Sequence, residues 1–401
     1  MSVSNASDSR LPAPQIQQRL HTVLFGLVMG GFFGGLVWKM GAPHLMGTLI
    51  KTAYSLLMDT VFYTMAITVL AGAAGRLLSE FGFMSLLNLL FSRLMMPLYG
   101  LPGVSMLGAT ATFLSDNMSI VPFTHDPEFM KNFQPRQVPL LCNLGTSYGM
   151  GLFVITVLVS LGYGPEALVG AVAALLGSIV SVRLMAIFVD RLANGDWTPE
   201  NQMQTGEATE SGTLRDQRSA ALANRKSFFE RFLIAILDGG KYGVEIGLNM
   251  IPGVLIICTA VMMLAKGMPS GGYDGGAYQG IGLIPVMGDL LRPILEPLFG
   301  FSSGGAVALP VTALGSVGAA VSLAQDSIKH HLLSGNEIAV FAAFGILWSG
   351  FLSTHVAILD LLGFRRFMTA AIWSHLIAGL IAGVIANWLY RGLMALGWVT
   401  G

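Results

Sequence analysis

Charge is scarce in this chain. Of its 401 residues only 11% are Asp, Glu, Lys or Arg, with 22 of each sign and a formal net charge of zero. A soluble domain carries about 25% charge, so an ordinary water-facing surface is excluded. No basic tract is present, which removes nucleic acid as a partner. There are two cysteines, Cys142 and Cys258, both in apolar segments, and they are expected to fill core space and not to form a disulfide. The roughly 10-residue alternating strands of outer-membrane barrels are missing. So are a phosphate-binding glycine loop, a nucleophile elbow and a His-Glu-x-x-His motif. His125 and His330-His331 lack a partner at ligand spacing. No enzyme activity, metal or cofactor is therefore expected.

What the chain has in quantity is apolar length. It is 53% hydrophobic, and runs of 18 or more apolar residues recur. Residues 1–20 are polar and expected to be a disordered tail. Residues 21–43 hold an extra N-terminal transmembrane helix. A first repeat is expected over 44–190, a polar cytoplasmic linker over 191–226, and a second repeat over 227–401.

The repeat shows as a register. Pro97-Leu98-Tyr99-Gly100 recurs as Pro297-Leu298-Phe299-Gly300, and at the same offset of 200 Thr112 meets Thr312, Asp126 meets Asp326, Gly145 meets Gly345 and Tyr148 meets Trp348. Upstream the offset is 185, with Met65 on Met250. Each unit makes an odd number of crossings, so the two face opposite ways. The expected fold is an all-α polytopic membrane protein of two inverted repeats with broken or re-entrant helices. Arg183, Arg191, Arg215, Arg218, Arg225, Lys226 and Arg231 crowd around the linker and place it in the cytoplasm, with Gly401 outside. The expected location is the bacterial inner membrane. The first span lies outside the repeat and is expected to serve a homodimer interface.

A helix interrupted inside the bilayer frees N–H and C=O groups that lipid cannot satisfy, so breaks mark buried or cavity-lining positions. The first break holds Asp116, Asn117 and Ser119; the second holds Gly315, Ser316 and Gly318. A carboxylate at membrane depth is costly and usually functional, which singles out Asp116 for a coupling cation or a cationic group of the solute. Asn143, Thr146 and Ser147 open the next span and are expected to line the same cavity, with Asn249, Ser349 and His355 from the opposing repeat. Tyr148 and Trp348 either stack on a planar ligand or pack in the core. Lys241 and Glu245, four apart, are spaced to pair.

Asp238-Gly239-x-Lys241-x-Gly243-x-Glu245, followed by Ile251-Pro252, resembles the opening of spore maturation protein B, and Gly315-Ser316-Val317-Gly318-Ala319 is similar to its Ser-Gly-Ser-Gly-Ala stretch. Asn117 to Pro122 and Asn143 to Ser147 resemble motifs of spore maturation protein A. Over about residues 44–390, outside the linker, the chain thus looks like a fusion of these two members of the nucleoside-recognition or gate-domain family. Gate domains also occur in ferrous iron permeases and are related in name to concentrative nucleoside transporters, so the resemblance implies solute passage. The expected function is secondary transport of a small polar solute across the lipid bilayer, coupled to H⁺ or Na⁺. The alternative is a non-transporting scaffold or regulator in envelope or differentiation processes.

Overall fold

A computed structural model of the chain describes residues 13–193, 195–200 and 227–399. Among these residues the regular structure is helical throughout, without strands. The first helix, α1, spans Ala13–Met40. It begins inside the stretch expected to be a tail, because Pro14 sits in its first turn, where a missing N–H costs nothing. Residues 1–12 of that tail lie outside the described residues. Phe25 and Trp38 of α1 are 66% and 82% exposed, side chains that face lipid.

The first repeat follows in order: α2 (Ala42–Ser55), α3 (Phe62–Glu80), α4 (Phe83–Tyr99), α5 (Ser105–Leu114), α6 (Leu140–Thr146), α7 (Gly151–Ser160) and α8 (Gly164–Ala193). The second is α9 (Phe228–Gly253), α10 (Thr259–Ala265), α11 (Leu283–Phe299), α12 (Ala308–Gly315), α13 (Val317–Lys329), α14 (Gly335–Leu347), α15 (Phe351–Leu362) and α16 (Met368–Ala395). A π-turn, Leu56–Val61, joins α2 and α3 into one long span; Val254–Cys258 does the same for α9 and α10. The offsets read in the sequence recur in these bounds. Both α4 and α11 follow a left-handed glycine, Gly82 and Gly282, and end in another, Gly100 and Gly300. Glycine alone takes that conformation without penalty, so these positions punctuate both copies alike.

The freed carbonyls at the ends of α4 and α11 are held from matching places. Arg183 of α8 donates through Nε to the Leu98 carbonyl at 2.7 Å; Asn387 of α16 donates to the Leu298 carbonyl at 3.0 Å. Gln137 donates to the Gly100 carbonyl at 2.7 Å, and Asn336 to the Phe299 carbonyl at 3.4 Å. After Gly300 the chain turns by 74° into the segment Gly304–Gly315, a broken or re-entrant pair.

The equivalent long spans, residues 42–80 and 228–265, pack on each other and run antiparallel, and so do α8 and α16. Along α3 and α9, Gly72 meets Gly239, Thr68 meets Gly243, and Met65 meets Gly247. Along α8 and α16, Glu166 accepts a hydrogen bond from Tyr390 at 3.1 Å, and Ser181 bonds His375 Nδ1 at 2.8 Å. Numbers rise on one helix as they fall on the other. The repeats are therefore inverted, about an axis in the membrane plane. Small residues permit the approach: a Cβ on Gly72 would meet the Gly239 carbonyl oxygen. Lys241 lies 3.8 Å from Asp238, not paired with Glu245 as its spacing suggested. Its long side chain reaches back one turn along α9 to Asp238.

The first residues of the linker are tied down. The Glu200 N–H donates to the Gly363 carbonyl at 2.7 Å, its carboxylate accepts the Arg366 N–H at 3.0 Å, and Trp197 packs on Phe367. This strap joins the end of α8 to the turn between α15 and α16. The inverted arrangement predicts that Thr198→Cys and Trp398→Cys are labelled by a membrane-impermeant maleimide from opposite faces of sealed vesicles. Labelling of both from one face would contradict the odd number of crossings in the second repeat.

Candidate functional site

Four helical segments stop inside the protein. The chain leaves α5 at Ser115 and runs extended through Asp116 into a 3₁₀ turn, Asn117–Ile120. It leaves α12 at Ser316, also extended, and re-enters helix at Val317. Between α6 and α7, Met150 is left-handed at φ 59°; between α14 and α15, Gly350 is left-handed at φ 62°. Both pairs of breaks keep the offset of 200. Short polar side chains replace the lost helix bonds. Asp116 accepts the Met118 N–H at 2.7 Å, and Ser316 Oγ accepts the Ala319 N–H at 3.3 Å.

All four breaks meet at one cleft of about 310 Å³. Asp116, Asn117 and Met118 come from the first break, Met150 from the second, Gly315 to Gly318 from the third, and Ser349, Gly350 and Thr354 from the fourth. Ile246 of α9 closes one side. Asn117 ties the breaks together. Its Nδ2 donates to the Ser349 carbonyl at 2.6 Å and to Thr354 Oγ1 at 3.2 Å, and its amide lies where a Cβ on Gly149 would sit. Asn117 Oδ1 and Ser349 Oγ are buried and have no hydrogen-bond partner among the described residues. Buried polar atoms are rarely left so, and these two belong to cleft-lining residues. The cleft carries one carboxylate and no fixed cation. The N-terminus of α13 adds partial positive charge across from it.

Asp116 Oδ2 accepts from the Tyr242 hydroxyl of α9 at 3.2 Å, and that hydroxyl accepts from Ser115 Oγ at 2.6 Å. Ser115 and Tyr242 also border a second cavity of about 430 Å³, with Ser119, Arg76 and Asp238 on its wall. The first break is thus a partition between two cavities, and Tyr242 latches it to α9. Sequence reasoning did not single out Tyr242. Its only signal is a phenol about four turns into α9, within the Asp238–Glu245 stretch.

The expected site therefore divides. Asp116, Asn117, Gly315, Ser316, Gly318 and Ser349 come together at the cleft. Ser119 faces the second cavity and receives the Asp116 N–H at 3.4 Å. Asn143, Thr146, Ser147 and His355 are fully buried and do not line the cleft. Asn143 Nδ2 donates to Ser181 Oγ at 3.0 Å and to Ser374 Oγ at 2.8 Å, which stitches α6 to α8 and α16. Thr146 and Ser147 bond back to the Cys142 and Asn143 carbonyls, and His355 Nδ1 donates to the Phe351 carbonyl. The inverted packing turns this face of α6 toward α8 and α16, which is why its polar groups hold the wall. Asn249 lies on α9, and its side chain is outside the described residues. Tyr148 bonds Ser178 Oγ at 2.7 Å and also Tyr99; Trp348 is 2% exposed, donates to the His375 carbonyl at 3.4 Å and packs on Phe344. Both aromatics brace α8 and α16 and are not on the cleft.

No known family profile matches the chain, and no curated protein matches it. Among solved structures it is similar to CNTnw, a concentrative nucleoside transporter. A double variant of CNTnw in an outward-facing state is 14% identical, with a TM-score of 0.50, over 96% of this chain and 88% of that one. CNTnw in an inward-facing substrate-bound state is 13% identical, with a TM-score of 0.48, over 94% and 88%. At this identity the likeness is one of fold.

Gly149→Ala is expected to push Asn117 off the Ser349 carbonyl. Leaving that buried carbonyl unpaired costs about 1–3 kcal/mol. The apparent melting temperature of the detergent-purified protein should fall, whereas Gly267→Ala, with open space around it, should leave it unchanged.

Proposed function

We propose that the protein is a secondary transporter of a small polar solute, bound in the cleft where the four breaks meet. The observation that carries this reading is the convergence of four helix breaks, two from each repeat, on one cleft lined by Asp116, Asn117, Ser316, Ser349 and Thr354. A scaffold has no need of a polar cleft at the junction of two inverted repeats; a transporter does. The likeness in fold to CNTnw supports the reading, and the resemblance of the Asp238–Glu245 and Gly315–Ala319 stretches to gate-domain motifs agrees with it. Asn117, whose Oδ1 packs against Gly149, and Ser349 turn their side chains to the solute as it enters. The N–H groups at Val317 and Gly318 face its acceptors, since glycine lets a ligand approach the main chain.

Asp116 takes the coupling ion, H⁺ or Na⁺, or a cationic group of the solute. For that its Oδ2 must exchange the Tyr242 hydroxyl for the incoming cation. Loading the cleft then releases the latch on α9, and the partition between the two cavities becomes free to move. Asn143, Thr146, Ser147 and His355 hold the wall and do not touch the solute. The membrane is the bacterial inner membrane, with the linker on its cytoplasmic face.

A thermal-shift screen of nucleosides, dipeptides, carboxylates and Na⁺ against the purified protein tests the reading, because a ligand of the folded state raises its apparent stability. At least one solute should stabilise the wild type. Asp116→Asn should weaken that binding about 10- to 100-fold, the loss of one charge-assisted hydrogen bond, with expression intact. If no solute stabilises the protein, or if Asp116→Asn together with Asn117→Ala leaves the response unchanged, the cleft is not the site.

A second outcome concerns the latch. Tyr242→Phe should speed thiol labelling of Gly315→Cys in the cleft from the linker side, and leave labelling of Ala111→Cys in the second cavity as it was. Equal rates at Gly315→Cys with and without the hydroxyl would remove Tyr242 from the partition.

A further inference from the structure

One stripe of α8 changes character along its length. Leu175, Ile179, Arg183, Ala186 and Asp190 are spaced by four, four, three and four residues, so they lie on one face. The apolar end, Leu175 and Ile179, borders a cavity of about 290 Å³ between α4, α5 and α8. The few polar groups there are already committed: Thr110 bonds the Met106 carbonyl, and the Tyr99 and Tyr148 hydroxyls bond Ser178. The polar end, Arg183 to Asp190, borders a second cavity of about 310 Å³, walled on its other side by Gln134, Arg136 and Gln137. Tyr99 borders both cavities, so they adjoin along α8 as a trough with this ring between its two ends.

The trough has the proportions and polarity of a membrane lipid. From Leu175 to Asp190 the helix rises about 22 Å, more than half the roughly 30 Å hydrocarbon core. Asp190 lies three residues from the end of α8, beside the linker and its cluster of basic residues. The charged end is therefore at the linker-side interface, and the apolar end points to the midplane. Arg136 is exposed and bonded to Gln134 at 3.0 Å. Arg183 is fixed in place by the carbonyls of Pro97 and Leu98. Two guanidinium groups suit a phosphodiester, and a carboxylate beside them suits an ammonium.

We propose that this trough holds one phospholipid of the linker-side leaflet. Its phosphodiester sits at Arg136 and Arg183, its acyl chain lies along Leu175 and Ile179, and its head group donates hydrogen bonds to Asp190. Ethanolamine meets that last condition. Choline does not, because a quaternary ammonium has no N–H. The site is separate from the solute cleft, yet the acyl end touches Tyr148, two residues from Met150 of the cleft. A bound lipid packs against the break between α6 and α7 and stabilises it.

The test uses full-length protein stripped of lipid in detergent, then offered phosphatidylethanolamine, phosphatidylcholine or inorganic phosphate. Retained lipid is counted by native mass spectrometry, and apparent melting temperature is followed in parallel. Phosphatidylethanolamine should be retained in preference to phosphatidylcholine and should raise the melting temperature. Arg136→Gln should cut retention about 10-fold or more. Asp190→Asn should abolish the preference between the two head groups. Leu175→Trp, at a position 46% exposed and so compatible with folding, fills the apolar end and should abolish retention of both. Equal retention of the two lipids by the wild type, or retention unchanged in both Arg136→Gln and Leu175→Trp, would overturn the proposal. So would stabilisation by inorganic phosphate equal to that by lipid, which would reassign the charged end to a free anion.

Discussion

Hydrocarbon offers no hydrogen bonds, and this fold repeatedly interrupts its helices. The rest of the structure follows from that conflict. Every interruption has to be turned inward and given partners from the protein itself. The two helix ends at Gly100 and Gly300 are met by Arg183 with Gln137, and by Asn387 with Asn336. The breaks at Asp116 and Ser316 are met by their own side chains. The carbonyl released at Ser349 is met by Asn117 from the other repeat. The provision has gaps in both cleft and wall: Asn117 Oδ1 and Ser349 Oγ beside the cleft, and Asn143 Oδ1 and Asn336 Oδ1 in the wall, find no partner among the described residues.

Whether a polar residue's role could be read from the sequence depends on whether its signal is local. Asp116, Gly315 and Ser316 were legible because their signal is local: a polar or flexible interruption in an apolar run. Asn143 and His355 carry a similar local signal but sit in the wall. Their partners, Ser181, Ser374 and the Phe351 carbonyl, come from helices whose placement no single stretch encodes. Tyr242 was the opposite case. It looks like ordinary interfacial aromatic packing until α9 is laid against α5, and only then does its hydroxyl reach Asp116 and Ser115.

The architecture was more legible than the site. The Pro-Leu-aromatic-Gly register predicted paired elements, and the left-handed glycines that open and close α4 and α11 supply its physical basis. The offset of 185 reappears in the bounds of the two long spans. Inversion was inferred from counting crossings, and the antiparallel contacts of α3 with α9 and α8 with α16 give it independent support. The start of α1 was missed because its polar residues suit an exposed helix as well as a tail.

Packing the long spans, and α8 with α16, against their own counterparts is the geometry of an isologous dimer, here closed within one polypeptide. A lone copy of the repeat would reach the same arrangement only by inserting into the membrane in both orientations, half of its molecules each way. Covalent joining removes that lottery. In the proposed topology the basic residues around the junction orient one copy, and an odd crossing number then dictates the other. Freed from having to serve both orientations, each copy can diverge, and Asn143 facing α8 and α16, with Ala343 at the corresponding position, shows that divergence under way.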